Sequence, residues 1–128
     1  MKYVTCVYED DLTAALMRRL LQEFSDSITI KTEIPARGFG KIKRDILKYN
    51  AAARYMPFFI VTDLDLKACA PTLISEWFGN NIMSGKLLFR VAVREADAWV
   101  LADRQGIAKT LGVSPDIIPL EPEQISDP

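Results

Sequence analysis

The sequence predicts an α/β domain of three layers, with a four-stranded, mostly parallel sheet of order 2-1-3-4 between helices on both faces. Two observations support this fold class. Segments with strand character and segments with helical periodicity alternate along the 128 residues, as they do in parallel sheets with crossover helices. Hydrophobic residues make up 49% of the chain and the net charge is only -1, which is typical of a folded domain.

The first part of the chain contains two strands and one helix. Residues 2–8 are rich in β-branched and aromatic side chains, which predicts a central strand. Asp10 or Asp11 then caps a helix that extends to about Phe24 and has an apolar residue at every fourth position. Residues 28–34 alternate in polarity, as in an edge strand with one face in water.

The same alternation continues through the rest of the chain. We expect helices over residues 41–55, 71–78, 95–103 and 106–111, and strands over residues 57–62 and 87–93. Residues 57–62 are apolar on both faces, which indicates a second central strand. Gly38 and Gly40 flank Phe39 in a short loop that we interpret as a hinge.

Composition separates the end of the chain from the rest. We expect residues 1–113 to form the α/β domain. Residues 114–128 contain four of the seven prolines and no basic residue, so we expect an acidic tail that wraps the domain or serves as a linker.

The sheet order predicts where a ligand would bind. The apolar first and third strands belong in the centre, and right-handed crossovers then give the order 2-1-3-4. Ligands of such sheets bind beyond the carboxyl ends of the strands, where the strand order reverses. Glu9 follows the first strand, and Asp63 and Asp65 follow the third, so we expect these carboxylates to meet there.

The chain has no histidine, which excludes a Ser-His-Asp triad and a His-ligated zinc site. Its two cysteines, Cys6 and Cys69, stand in apolar surroundings, and we interpret both as small buried side chains in a reducing compartment. Chemistry must then come from carboxylates and other oxygen or nitrogen groups. Carboxylates without imidazole or thiolate favour Mg²⁺ or Mn²⁺.

The carboxylates suggest distinct roles. Asp63 and Asp65 at a strand end would share one metal ion, and Glu9 would be a further ligand or a general acid or base. Glu95 and Asp97, at the start of a predicted helix, are further candidate metal or substrate ligands. Each of these residues has a structural alternative, since acidic residues after strands often cap helices and Glu95 or Asp97 would pair with a nearby arginine.

Basic residues are concentrated in the middle of the chain. Six of them and a single acid lie between Arg37 and Arg54, which indicates a surface that would attract phosphates. The candidate phosphate or nucleic-acid contacts are Lys41, Lys43, Arg44, Lys67 and Arg94. The alternative is a solvated helix face.

No apolar run approaches the length of a membrane span, and no signal peptide precedes the first strand. We therefore expect a cytoplasmic location without membrane association.

Three segments resemble a small bacterial family of Toprim-like proteins. They are residues 8–11, Tyr-Glu-Asp-Asp, residues 62–65, Thr-Asp-Leu-Asp, and residues 90–103. The resemblance covers most of the chain, and Arg94-Glu95-Ala96-Asp97-Ala98-Trp99 is its most specific part. Pro122-Glu123 and Asp127-Pro128 also fit the family. One departure is Asp10, which replaces the glycine that usually follows the first glutamate.

The resemblance implies a Toprim/Rossmann-like sandwich in which Glu9 is the acid or base and Asp63 and Asp65 hold Mg²⁺. Toprim domains serve in topoisomerases, primases and overcoming-lysogenization-type nucleases. The implied function is a nuclease-like phosphoryl-transfer enzyme, with nucleic acid as substrate, a partner ATPase and a role in phage defence. A non-catalytic scaffold subunit and a receiver-like phospho-acceptor domain are the alternatives, and a receiver would also need a lysine after a fifth strand.

Overall fold

The computed structural model describes residues 1–37 and 40–125. Its four strands form one sheet in the order β2-β1-β3-β4, and all three neighbouring pairs run parallel. The strands are β1 (Lys2–Tyr8), β2 (Ile28–Pro35), β3 (Phe58–Asp63) and β4 (Leu87–Ala92). The predicted order is confirmed, and the sheet is parallel throughout.

Five α-helices and two short 3-10 helices connect and follow these strands in the described part of the chain. They are α1 (Asp11–Gln22), α2 (Lys41–Ala52), α3 (Ala70–Phe78), α4 (Ala96–Leu101), α5 (Arg104–Leu111), η1 (Pro115–Ile117) and η2 (Pro122–Gln124). The helices predicted over residues 95–103 and 106–111 correspond to α4 and α5, but α4 is shorter than predicted and α5 begins two residues earlier. Asp103 accepts a hydrogen bond from the Gly106 backbone at 3.1 Å, and this N-cap begins a new helix.

Helices cover both faces of the sheet and give the three predicted layers. On one face, α1 places Met17 against Cys6 and Val61. On the other face, α2 and α3 bury Ile46 and Leu73 in a second apolar cluster. The sheet is therefore held by two separate cores, one on each face.

The segment after α5 folds back onto the last two helices. The Arg104 guanidinium donates hydrogen bonds to the carbonyl oxygens of Pro115, at 2.8 Å, and Ile118, at 2.9 Å. Ile118 and Pro122 are buried, and η2 packs against α4. The segment thus wraps the domain as far as residue 125, whereas Asp127-Pro128 and most of the proposed Gly38–Gly40 hinge lie outside the described residues.

Within residues 1–37 and 40–125, the structure contains no helix with the length and apolar character needed to span a membrane.

Candidate functional site

Carboxylates gather where β1 and β3 end. The two strands are neighbours and run parallel, so Glu9 and Asp63 lie at one edge of the sheet. We call this site the acidic edge; its members are Glu9, Asp10, Asp63, Asp65 and Glu95. The charges of Asp63 and Asp65 are among the causes that raise the pKa of Glu9, after burial.

Asp63 is the last residue of β3 and is partly buried. Its Oδ1 accepts a hydrogen bond from the backbone N–H of Ala96 at 2.7 Å. Burial raises the pKa of the Asp63 carboxyl to about 6, against the lowering effect of that hydrogen bond, and Asp65, Asp10 and Glu95 raise it further. Asp63 therefore caps α4 and is also surrounded by other carboxylates.

Asp65 is held in an unusual backbone conformation. Its φ of 52° is in the left-handed region, which costs a non-glycine residue roughly 1–2 kcal/mol. Two hydrogen bonds to Arg94 fix this loop. The Asp65 N–H donates to the Arg94 carbonyl at 2.9 Å, and the Arg94 guanidinium donates to the Asp65 carbonyl at 3.1 Å. The loops after β3 and β4 are thereby joined beside the acidic edge.

Glu9 is half-buried directly after β1. Burial is the main cause that raises the pKa of its carboxyl above the usual value, and the charges of Asp63, Asp65 and Asp10 raise it further. A carboxyl with a raised pKa is better matched to proton transfer near neutral pH than an ordinary glutamate.

The neighbouring acids have structural roles. Asp10 caps α1, since its Oδ1 accepts a hydrogen bond from the Thr13 N–H at 2.8 Å. Asp11 is exposed and pairs with Arg37 at 3.2 Å. Asp97 lies in the first turn of α4, where the helix dipole stabilises a negative charge. The charges that raise the pKa of Glu9 and of Asp63 come from other acids.

The acidic edge offers only oxygen donors, which suit Mg²⁺ or Mn²⁺. Between residues 1 and 125, leaving out the undescribed 38 and 39, no three carboxylate or thiol groups are close enough to enclose a metal ion. Mg²⁺ often needs fewer protein ligands, because it keeps several waters and binds through one or two carboxylates together with substrate phosphates. The residues present fit a magnesium ion held in that partial way.

The predicted phosphate contacts surround the same edge, and most of them already have partners. Lys41 pairs with Asp45 at 3.2 Å. Lys43 and Lys67 both contact the carboxylate of Glu76 in α3, at 2.6 and 2.7 Å. These two lysines lower the pKa of Glu76 to about 2.

Arg94 donates to the backbone of Asp65, and Arg44 is exposed near the start of α2. Glu76 was not predicted as the counter-ion, because its approach to Lys43 depends on how α3 packs beside α2.

The two cysteines differ. Cys6 is buried in the sheet, as predicted, and burial raises the pKa of its thiol to about 11. The prediction that Cys69 is buried is wrong, because this residue stands at the N-cap of α3 and is exposed. Its Sγ lies 3.1 Å from the Thr72 hydroxyl, and this hydrogen bond is the main cause that lowers the Cys69 pKa.

Comparison of the chain with protein-family models, with curated proteins and with solved structures finds no match in any of the three. The Toprim resemblance therefore stays a prediction, and the function is best argued from the acidic edge itself.

Proposed function

We propose that this chain is a Mg²⁺-dependent phosphoryl-transfer enzyme of the Toprim type, nuclease-like in its reaction. The observation that carries the proposal is the crowding of partly buried carboxylates after two adjacent parallel strands. Burial is the main cause that raises the pKa of both Glu9 and Asp63. The charge of Asp63 raises the pKa of Glu9 further, and the charges of Asp65 and Asp10 raise both. A divalent cation would relieve this repulsion more effectively than water.

Asp63 and Asp65 would hold the metal, with Glu9 and Glu95 beside them. Asp97, in the first turn of α4, is a further candidate ligand. Bound Mg²⁺ would neutralise the charge that develops on a phosphate group during transfer.

Glu9 is the proposed acid or base. Its half-buried carboxyl is next to the metal-binding candidates, where it would accept a proton from an attacking water and return one to the leaving oxygen. This division of labour assigns metal binding to the carboxylates after β3 and proton transfer to the one after β1.

The basic residues at the edge would hold a polyanionic substrate. Three of them lie in the first turn of α2, which follows β2, and the other two lie in the loops after β3 and β4; they are Lys41, Lys43, Arg44, Lys67 and Arg94. A phosphate would compete with Glu76 for Lys43 and Lys67. The proposal also includes nucleic acid as substrate, a partner ATPase and a role in phage defence, which rest on the resemblance of three segments to Toprim-like proteins. A cytoplasmic location completes it and rests on the sequence, which shows no signal peptide and no apolar run of membrane-spanning length.

A non-catalytic scaffold is the second candidate. It is favoured by the hydrogen bond from Ala96 to Asp63, because capping alone would account for a carboxylate at that position. A receiver-like domain has less support, since the described part of the chain forms a four-stranded sheet and offers no fifth strand with a lysine at its end.

The deciding experiment is calorimetric titration of Mn²⁺ and Mg²⁺ into the whole chain and into Asp63→Asn and Asp65→Asn. Asp26→Asn is the matched control, because Asp26 is exposed in the turn between α1 and β2. We expect saturable binding that the two edge variants lose and the control keeps. If no saturable binding occurs at millimolar metal, or if Asp63→Asn binds metal as the wild type does, the enzyme proposal is wrong and the scaffold proposal takes its place.

A second measurement separates the role of Glu9 from metal binding. If Glu9 transfers protons, Glu9→Gln should still bind Mn²⁺ but cleave a nucleic-acid substrate roughly 10²- to 10⁴-fold more slowly. Equal turnover of the wild type and Glu9→Gln would remove Glu9 from the reaction.

A further inference from the structure

A cleft of about 290 Å³ opens at the other end of the sheet. It is lined by Lys2 and Tyr3 at the start of β1, by Lys31 in the middle of β2, and by Tyr55, Met56 and Pro57, which precede β3. Parallel strands place their amino ends at one edge, so the cleft lies opposite the acidic edge. Strands of this length separate the two edges by about 20 Å. We call this site the amino-edge cleft.

The back of the cleft is fixed by β1. The Thr5 hydroxyl donates a hydrogen bond to Sδ of Met56 at 3.1 Å, and the Thr5 N–H donates to the carbonyl of Pro57 at 2.9 Å. The segment between α2 and β3 is thereby tied to the sheet. Tyr55 directly precedes Met56 in this segment, so its backbone is held in place by the same contacts.

Two tyrosines of the cleft are turned to solvent. Tyr3 is 52% exposed and Tyr55 is 88% exposed. Tyr55 projects because α2 ends at Ala52, before the helix boundary that the sequence predicts. An exposed aromatic ring contributes little to the core, and its face is a surface on which a nucleobase stacks.

Positive charges accompany these rings. Lys2 and Lys31 line the cleft, and Lys31 Nζ is 5.9 Å from the centre of the Tyr3 ring. Arg54 precedes Tyr55, and Lys86 Nζ donates to the Arg54 carbonyl at 3.4 Å. Among the described residues, none of these four side chains forms a salt bridge, whereas Lys41, Lys43 and Lys67 at the acidic edge do.

We propose that the amino-edge cleft binds single-stranded nucleic acid, with bases stacked on Tyr3 and Tyr55 and phosphates held by Lys2 and Lys31. Proteins that bind single strands without sequence preference combine aromatic platforms with a positive groove. A duplex fits less well, because its base faces are covered by stacking. The binding does not depend on the metal proposed at the acidic edge, since the two sites share no residue.

The test is fluorescence anisotropy of a labelled oligothymidine of about 12 nucleotides with the whole chain, in EDTA and at low salt. Tyr55→Ala should raise Kd roughly 5- to 150-fold, the loss of one stacked base. The double variant Lys2→Ala/Lys31→Ala should reduce the slope of log K against log salt by about 1.4, because each phosphate contact contributes about 0.7.

The matched controls are Phe24→Ala, which removes another exposed aromatic ring (57% exposed), and Lys109→Ala, which removes an exposed lysine of α5. Both controls should bind as the wild type does, and circular dichroism checks the fold of each variant. Asp63→Asn should also bind normally in EDTA, so a failure of the metal proposal leaves this result unchanged.

Several results would overturn the proposal. One is that the wild type fails to bind the oligothymidine, and another is that Tyr55→Ala and the double lysine variant both keep the wild-type Kd. Equal affinity for a duplex and for the single strand would also overturn it. Loss of binding in Lys41→Ala/Lys43→Ala alone would move the contact to the acidic edge. Binding to vesicles of anionic phospholipid but not to the oligonucleotide would assign the cleft to a membrane surface.

Discussion

The backbone N–H of Ala96 donates a 2.7 Å hydrogen bond to the carboxyl group of Asp63. The bond joins the end of β3 to the first turn of α4, across 33 positions of sequence. Asp63 thus combines a structural role, as an acceptor for an N–H group at a helix start, with a position among other acids. The two roles respond differently to substitution, because asparagine keeps an acceptor oxygen and alanine does not.

Asp63→Ala should be less stable than Asp63→Asn. Loss of a capping acceptor costs about 0.5–2 kcal/mol of unfolding free energy, whereas both substitutions remove the same charge. Urea unfolding at pH 7 in EDTA, followed by circular dichroism, measures the difference. Equal stability of the two variants would mean that the Ala96 hydrogen bond contributes nothing.

The stability of the wild type should depend on pH through Asp63. Burial raises the pKa of this carboxyl from 3.8 to about 6 in the folded chain, so the folded state binds the proton more tightly than the unfolded state. The resulting stabilisation is complete below the unfolded value and disappears as the pH rises through about 6.

The shifted pKa of Glu9 acts in the same direction. Urea midpoints measured in EDTA from pH 4 to 7 should therefore fall less steeply in Asp63→Asn than in the wild type. A parallel pH dependence in the two proteins would contradict the raised pKa of Asp63.

Glu76→Gln should strengthen binding of polyanions at the acidic edge. Glu76 neutralises Lys43 and Lys67, and glutamine would leave both ammonium groups with a net positive charge. Heparin or nucleic-acid affinity at low salt should rise severalfold, and the gain should shrink as salt is added. Glu23→Gln, which breaks an exposed ion pair with Arg19, is the control and should have a smaller effect.

Only one of the two thiols should react in the folded protein. Cys69 is exposed and its pKa is lowered by the Thr72 hydroxyl, whereas Cys6 is buried and burial raises its pKa to about 11. Ellman's reagent should therefore modify one thiol rapidly and the second only after unfolding. Cys69→Ser should lose the rapid phase; if the slow phase disappears instead, the assignment is wrong.

The fold could be predicted because polarity and position are closely linked in a parallel sheet. Residues 57–62 are apolar on both faces and residues 28–34 are not, which was sufficient to place the third strand inside and the second at an edge. The boundary between the last two α-helices was not predicted correctly, because α5 begins at Arg104 and not at Gly106. Asp103 is compatible with the end of one helix or the cap of the next, and only its contact with Gly106 decides.

The acidic edge was predictable to a similar extent. Neighbouring parallel strands end at one edge, so the meeting of Glu9 with Asp63 follows from the strand order. The hydrogen-bond partners of the charged side chains could not be predicted from the strand order. The bond from Ala96 to Asp63 and the bond from Lys43 to Glu76 each join residues 33 positions apart. Glu95 and Asp97 are two residues apart, and sequence alone does not tell which lies closer to Asp63.

The position of α4 has a mechanical consequence. Its first turn is attached to the Asp63 carboxyl, and the helix also packs against η2, where Pro122 is buried. The helix is only six residues long, so its contacts with Asp63 and with η2 lie close together. We therefore expect a change in charge or ligation at Asp63 to alter the surroundings of η2, so a label near residue 122 would report on events at the carboxylates.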